Sequence, residues 1–223
     1  LKKMISEKHL WAPTVDQVEN SNMTRFAGDA GDRWGRNLGT YRSLHSWSVT
    51  EPDEFWRSIW DWTNVIGSGS LDSVVQNPDR VPGARWFPNV TLNFAENLLR
   101  RRDNAPALIF RSEDKVKRTI SYAALYAQVA RIAGALRDAG IEPGDRVCGF
   151  MPNMPETISA MLAAASVGAT WSSCSPDFGV KGVLDRFGQI EPKVLFSADG
   201  YWYNGKAHDS LAKLVEIGRN LPS

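Results

Sequence analysis

The 223 residues carry 26 Lys and Arg against 25 Asp and Glu, a net charge of +1, with 43% hydrophobic residues and nine Trp. This composition supports a sizeable core and excludes a wholly disordered chain, which would be poor in aromatics and far from neutrality; the near-even charge disfavours a broadly basic nucleic-acid binder. Two cysteines, Cys148 and Cys174, are too few for a disulfide framework and read as buried free thiols in a reducing, cytoplasmic setting.

Along the chain two textures alternate. Seven of the nine Trp fall in the first 90 residues, which show no sustained periodicity. There, Thr50-Glu51-Pro52-Asp53 reads as a helix start, with Thr50 as cap and Pro52 early enough to be tolerated. The helix runs over 53–65, with Phe55, Ile59 and Trp62 on one face, and Gly67-Ser68-Gly69-Ser70 ends it as a flexible turn. The turn-rich connector Asn77-Pro78-Asp79-Arg80-Val81-Pro82-Gly83 sets a boundary, giving an N-terminal segment at 1–85 and a second domain at 86–223.

The second part opens with a helix over 94–102, capped by Asn93. A hairpin follows, with strands at 107–110 and 116–120 turning at 112–114. A long helix over 121–139 carries Tyr122, Leu125, Val129, Ile132 and Leu136 at helical spacing and stops at Gly140. Then come a buried strand at 146–151, a helix opened by Pro155 and closed by Gly168, and a strand at 169–173. Asp177 is placed to cap a helix bearing Val180, Val183, Leu184 and Phe187. A strand at 193–196, a loop over 198–208 and a helix at 209–219 complete the chain. Apolar strands separated by helices imply an α/β fold: a helical, irregular cap segment followed by the first part of a doubly wound, mostly parallel sheet.

In such sheets ligands bind beyond the carboxyl ends of the strands, so the informative loops are 152–156, 172–179 and 197–208. The last contains Tyr201, Trp202, Tyr203, Asn204, Gly205 and Lys206. Rings to stack on, a glycine permitting close approach and a cation suit a nucleotide-like ligand. The competing reading is an ordinary loop with Tyr201 and Trp202 packed on the domain and Lys206 solvated. Between 172 and 179, free hydroxyls at a helix start could hold an anion, but the Asp177 carboxylate suits a cap better. Cys174 has no His nearby in sequence to activate it. Gly67–Ser70 lacks the following Lys and preceding strand of a phosphate loop. Arg25, Arg33, Trp34, Arg36, Tyr41, Arg42 and Trp47 interleave cations and rings as single-strand binders do, yet Asp29 and Asp32 dilute the charge, and Arg stacked on Trp within the fold is the commoner outcome. His9, His45 and His208 are too dispersed for metal-ligand spacing. The weakly polar run 158–170 is too short for a bilayer, which takes about 20 apolar residues. The chain opens on Leu1 and closes on Leu221-Pro222-Ser223 after a helical pattern, and so reads as a piece of a longer protein.

Several runs resemble a known family. His9-Leu10-Trp11-Ala12-Pro13 and Phe55-Trp56-Arg57-Ser58-Ile59-Trp60 resemble the N-terminal cap segment of acyl-CoA synthetases. The run from Arg85-Trp86-Phe87-Pro88 to Leu98-Leu99 resembles the opening of their adenylate-forming domain. Trp171 to Gly179, Leu184 to Leu195, and Tyr203-Asn204-Gly205-Lys206 are similar to acetoacetyl-CoA synthetases within that superfamily. The resemblance implies an acid–thiol ligase using ATP, Mg²⁺, acetoacetate and coenzyme A through an acyl-adenylate. Its partners are these small molecules, with no nucleic acid and no membrane. It further implies that the phosphate-cradling loop, the adenine motif, the Mg-linked Glu and the catalytic Lys lie further along the chain. No catalytic residue and no metal ligand is therefore expected within 1–223. Related synthetases contact the nucleotide end of coenzyme A through an Arg-Ala-Gly-Arg pattern; Tyr203, Asn204, Gly205 and Lys206 stand at those four positions. Tyr203 exchanges a charge for a stacking surface, and Lys206 keeps the cation without bidentate geometry. A related glycine that approaches coenzyme A falls near Asp177. The alternatives are a non-catalytic CoA- or nucleotide-binding module and a ligase for another short-chain acid.

Overall fold

The computed structural model describes residues 10–221; Leu1, His9, Pro222 and Ser223, named above, lie outside the described residues. The chain divides into two compact units between Leu92 and Asn93, where the sequence reading sets its boundary at 85.

The first unit begins with four helices: α1 (Val15–Glu19), α2 (Asn22–Trp34), α3 (Tyr41–Thr50) and α4 (Pro52–Trp62). Thr14, Ser21 and Thr40 cap the first three, each hydroxyl accepting a backbone N–H of the first turn. The expected Thr50 cap is not made. Thr50 is the last residue of α3, and its hydroxyl donates to the Ser46 carbonyl at 3.0 Å. Glu51 precedes Pro52 with no side-chain cap, and Asp53 and Glu54 supply negative charge to the first turn instead. The helix also ends at Trp62, three residues before the expected 65, because the chain turns through Thr63 into left-handed Asn64 at φ 51°. The expected face holds: Phe55, Ile59 and Trp62 pack on the buried Phe26, Ala30, Leu38, Leu44 and Trp47. Phe26 meets Phe55 and Trp62 edge-on at 6.0 and 5.7 Å, the orientation the ring quadrupole favours. Two of the interleaved cations are spent internally: Arg33 pairs with Asp61 at 2.8 Å and lies over Trp34, and Arg36 pairs with Glu54 at 2.8 Å.

Four two-residue strands follow: β1 (Ser68–Gly69), β2 (Val75–Gln76), β3 (Arg85–Trp86) and β4 (Val90–Thr91), with β1 paired to β4 and β2 to β3. The supposed flexible turn at 67–70 is thus ordered. Gly69 has φ 128°, and a Cβ there would overlap the Asn89 carbonyl oxygen, so glycine is required by conformation and by space.

In the second unit α5 (Phe94–Leu98) is capped by Asn93 and stops short of the expected 102. β5 (Pro106–Ser112) and β6 (Val116–Ser121) form an antiparallel hairpin of their own. Ser121 caps α6 (Tyr122–Asp138), which ends before Gly140 at φ 74°. β7 (Arg146–Phe150), α7 (Pro155–Ser166), β8 (Thr170–Cys174), α8 (Val180–Phe187) and β9 (Val194–Ser197) build a three-stranded parallel sheet in the order β8-β7-β9. β10 (Gly200–Tyr203), β11 (Lys206–Asp209) and α9 (Leu211–Asn220) follow. The segment read as a loop over 198–208 is therefore an antiparallel hairpin. Its two central residues, Asn204 at φ 51° and Gly205 at φ 71°, are both left-handed, the geometry that suits the twist of a two-residue β-turn.

β7 is the axis of this unit. Val147 packs with Leu136, Leu162 and Ala163 from α6 and α7, while Cys148 and Phe150 face Val183, Phe187 and Ile217 from α8 and α9. Successive side chains alternate between faces, so both helical layers seal on one strand. At its amino end Asp145, nearly buried, accepts from Lys193 at 2.8 Å and from the Glu142 N–H at 2.8 Å; the Lys193 ammonium holds its carboxyl below the usual range. Arg146 donates to the Ile190 carbonyl at 2.6 Å. Gly149 leaves the space that the Trp171 ring fills: a Cβ there would lie 2.6 Å from that ring. Gly149→Ala is expected to destabilise the fold by about 1–3 kcal/mol, the usual cost of overpacking. Denaturant unfolding would show a lowered midpoint with an unchanged slope, and an unshifted midpoint would contradict this packing.

Candidate functional site

At the carboxyl end of the parallel sheet lies a cleft of about 750 Å³. Its floor is the turn after β7 (Pro152–Met154) and the turn after β8 (Ser175–Asp177). One wall is β10, with Tyr201, Trp202 and Tyr203; the other is the β5–β6 hairpin, with Phe110, Arg111 and Arg118. All three loops singled out in the sequence thus reach the cleft, the third through β10. The β5–β6 wall has no signal in the sequence, because its contribution depends on how a separate hairpin folds over the sheet, which no local spacing records.

The cleft combines ring faces with cations. Arg118 makes a bidentate pair with Glu156 at 2.6 and 2.7 Å, and its guanidinium lies 5.5 Å from the Phe110 ring. That pairing holds the Glu156 carboxyl below its usual range. Lys115 sits 5.5 Å from the Trp202 ring. Asp177 does not cap α8, which begins after Gly179 without any side-chain cap. Its carboxylate accepts instead from the Tyr201 hydroxyl at 2.8 Å and the Ser175 hydroxyl at 3.0 Å. The Tyr201 hydrogen bond depresses the Asp177 carboxyl, and the same bond raises the Tyr201 phenol. Tyr201 also stacks on His208 across the hairpin, with centroids 5.0 Å apart at 16°.

Of the residues picked from sequence, Tyr203 lines the cleft and is 64% exposed. Asn204, Gly205 and Lys206 form the exposed turn just beyond it and are not part of its lining. The Gly205 N–H donates to the Glu113 carboxylate at 3.0 Å, a partner 92 residues away. No side chain in this arrangement is placed as a nucleophile with an adjacent base. Among the described residues no group of His, Cys, Asp and Glu is arranged to hold a metal ion, and no helix is long and apolar enough to cross a membrane. The arrangement can stack planar groups and attract anionic ones.

A parallel sheet with its cleft at the carboxyl ends is the architecture of nucleotide-using α/β proteins. A family model described as AMP-binding enzyme matches residues 94–221, and one described as acetyl-coenzyme A synthetase N-terminus matches residues 41–98. The chain belongs to the AMP-binding enzyme family. Within it, the chain is 51% identical over 218 residues to the acetoacetyl-coenzyme A synthetase of Rhizobium meliloti, covering 98% of this chain and 33% of that protein. It is 38% identical over 224 residues to a malonamoyl-CoA synthetase of Penicillium aethiopicum, covering 97% of this chain and 31% of that protein. The fold superposes on the acetoacetyl-CoA synthetase of Streptomyces lividans with a TM-score of 0.89 at 44% identity, over 95% of this chain and 33% of the other. The chain therefore spans about a third of the length of the relatives it matches.

Cys148 and Cys174 lie on the α8–α9 side of the sheet, both buried and unpaired. Burial, and then the neighbouring Cys174, pushes the Cys148 thiol up to about 12; burial raises Cys174 as well. A raised thiol pKa favours the protonated form, so at pH 8 only about one Cys148 in 10⁴ is thiolate. Alkylation by iodoacetamide at pH 8 is expected to leave both thiols unmodified in the folded protein and to label both in denaturant. Rapid labelling under native conditions would contradict the burial.

Proposed function

We propose that this chain is the N-terminal portion of an acid–thiol ligase that joins acetoacetate to coenzyme A. The observation that carries the reading is the 51% identity to an acetoacetyl-coenzyme A synthetase along nearly the whole chain. In the first step an acetoacetate carboxylate oxygen attacks the α-phosphorus of ATP, forming the acyl-adenylate and releasing pyrophosphate. In the second the thiol sulfur of coenzyme A attacks the acyl carbon, the thiol proton is lost, and AMP leaves with the former carboxylate oxygen. The residues present fit a supporting part in the second step. The tip of the β10–β11 hairpin offers Tyr203 as a stacking face and Lys206 as a cation for the adenosine-phosphate end of coenzyme A. The parallel sheet supplies the base from which that tip projects. No step is assigned to Mg²⁺ on these residues, since among the described residues no group of His, Cys, Asp and Glu is arranged to hold it. Buried unpaired thiols fit a reducing compartment, and the cytoplasm is the proposed location.

The malonamoyl-CoA synthetase at 38% identity makes acid choice the point to test. In the full-length ligase, turnover with acetoacetate is expected to exceed that with acetate, propionate or malonamate by about tenfold or more, the discrimination a pocket gives for a single group. Equal turnover with any of them would overturn the acid assignment. Lys206→Ala is expected to raise KM for coenzyme A about two- to fivefold, the worth of an exposed ion pair, with KM for ATP unchanged. Equal effects on both substrates would contradict a coenzyme A contact at the hairpin tip.

A further inference from the structure

The β10–β11 hairpin has no strand of the central sheet beside it. A lone two-stranded hairpin is marginally stable in water, so something else must hold its direction. Two links do so. Near its base, Tyr201 donates to Asp177 at 2.8 Å; at its tip, the Gly205 N–H donates to Glu113 at 3.0 Å. The first point lies on β10 and the second in the turn that closes the hairpin. The partners come from different elements, the turn after β8 and the β5–β6 turn. A lever held at one point swings; held at two it does not.

The Glu113 position is informative. It has φ 46°, a left-handed conformation that glycine or asparagine adopts at lower cost. The β5–β6 turn closes around it, with Lys115 N–H on the Ser112 carbonyl at 3.0 Å. Neither small residue would carry a carboxylate across to the second hairpin. The adjacent Lys115, over the Trp202 ring, adds a second contact between the same two tips. A carboxylate on the Gly205 amide, at the hairpin tip, is moreover an unfavourable neighbour for an incoming polyanion, so its place there needs another reason.

We infer that Glu113 is a positioning residue that fixes the β10–β11 tip, so that Tyr203 and Lys206 are presented in one orientation to the nucleotide end of coenzyme A; this rests on the coenzyme A reading of that tip. Glu113 stands at the cleft, and the role inferred for it is to hold the hairpin tip. It acts through the Gly205 amide.

The test uses two variants of the full-length ligase, read by amide hydrogen exchange and by steady-state kinetics. Glu113→Gly removes the carboxylate and relieves the left-handed backbone, so loss of folding does not confuse the result. Glu113→Gln keeps an oxygen acceptor and removes the charge. For Glu113→Gly, exchange over residues 200–209 is expected to quicken about fivefold, the factor for one solvent-accessible hydrogen bond. KM for coenzyme A is expected to rise roughly threefold, with kcat and KM for ATP unchanged, and Glu113→Gln to match the parent in both readouts. Unchanged exchange in Glu113→Gly overturns the tether. A KM for coenzyme A that falls in both variants overturns positioning, since the carboxylate would then only repel the ligand. Faster exchange with an unchanged KM also overturns the positioning role. Lys206→Ala then separates that failure from failure of the site: a raised KM there leaves the coenzyme A reading standing, and an unchanged one removes both.

Discussion

The burial of β7 on both faces governs the second unit. With α6 and α7 on one side, α8 and α9 on the other, and parallel neighbours along both edges, the strand has no side left for a ligand. Only its carboxyl end is open. That constraint gathers the turns after β7 and β8 on one rim and gives the cleft a fixed floor. The tight contact of Gly149 with the Trp171 ring and the Asp145–Lys193 pair at the opposite end belong to the same requirement, that three strands stay in register so the rim keeps its shape.

On this rigid floor stand two hairpins that the sheet does not include. Their side chains make the walls, and their tips meet through Glu113 and Gly205 and through Lys115 and Trp202. The division of labour is physical. The sheet supplies rigidity through buried apolar area. The hairpins supply exposed rings, cations and amides that a buried strand cannot offer. The hydrogen bonds that Asp177 and Glu113 make to the second hairpin are solvent-accessible.

Much of this was legible in the sequence. The helix over 122–138 and the central strand were visible because their periodicities are long and uninterrupted, and Ser121, Asn93 and Gly140 mark boundaries by local chemistry alone. The cap and hairpin errors have separate causes. Thr50 looks like a cap, but the preceding helix runs through it without a loop. Asp177 looks like a cap, but its partner Tyr201 is 24 residues away. Three consecutive aromatics masked the period-two pattern of β10, although Asn204-Gly205 is a hairpin turn in its own right. The candidate residues Tyr203 to Lys206 were chosen from their types and from a family resemblance. Their anchoring by Glu113, 92 residues distant, has no sequence signal at all.

The identity of the relatives and the two family models define the lineage, while a ligand contact at the hairpin tip is the proposal to be tested. The most direct measurement is a crystal structure of the full-length protein with coenzyme A added. The account predicts a phosphate of the nucleotide within about 4 Å of the Lys206 ammonium, with the adenine against the Tyr203 ring. Coenzyme A seated elsewhere, with Tyr203 and Lys206 left facing solvent, would contradict it.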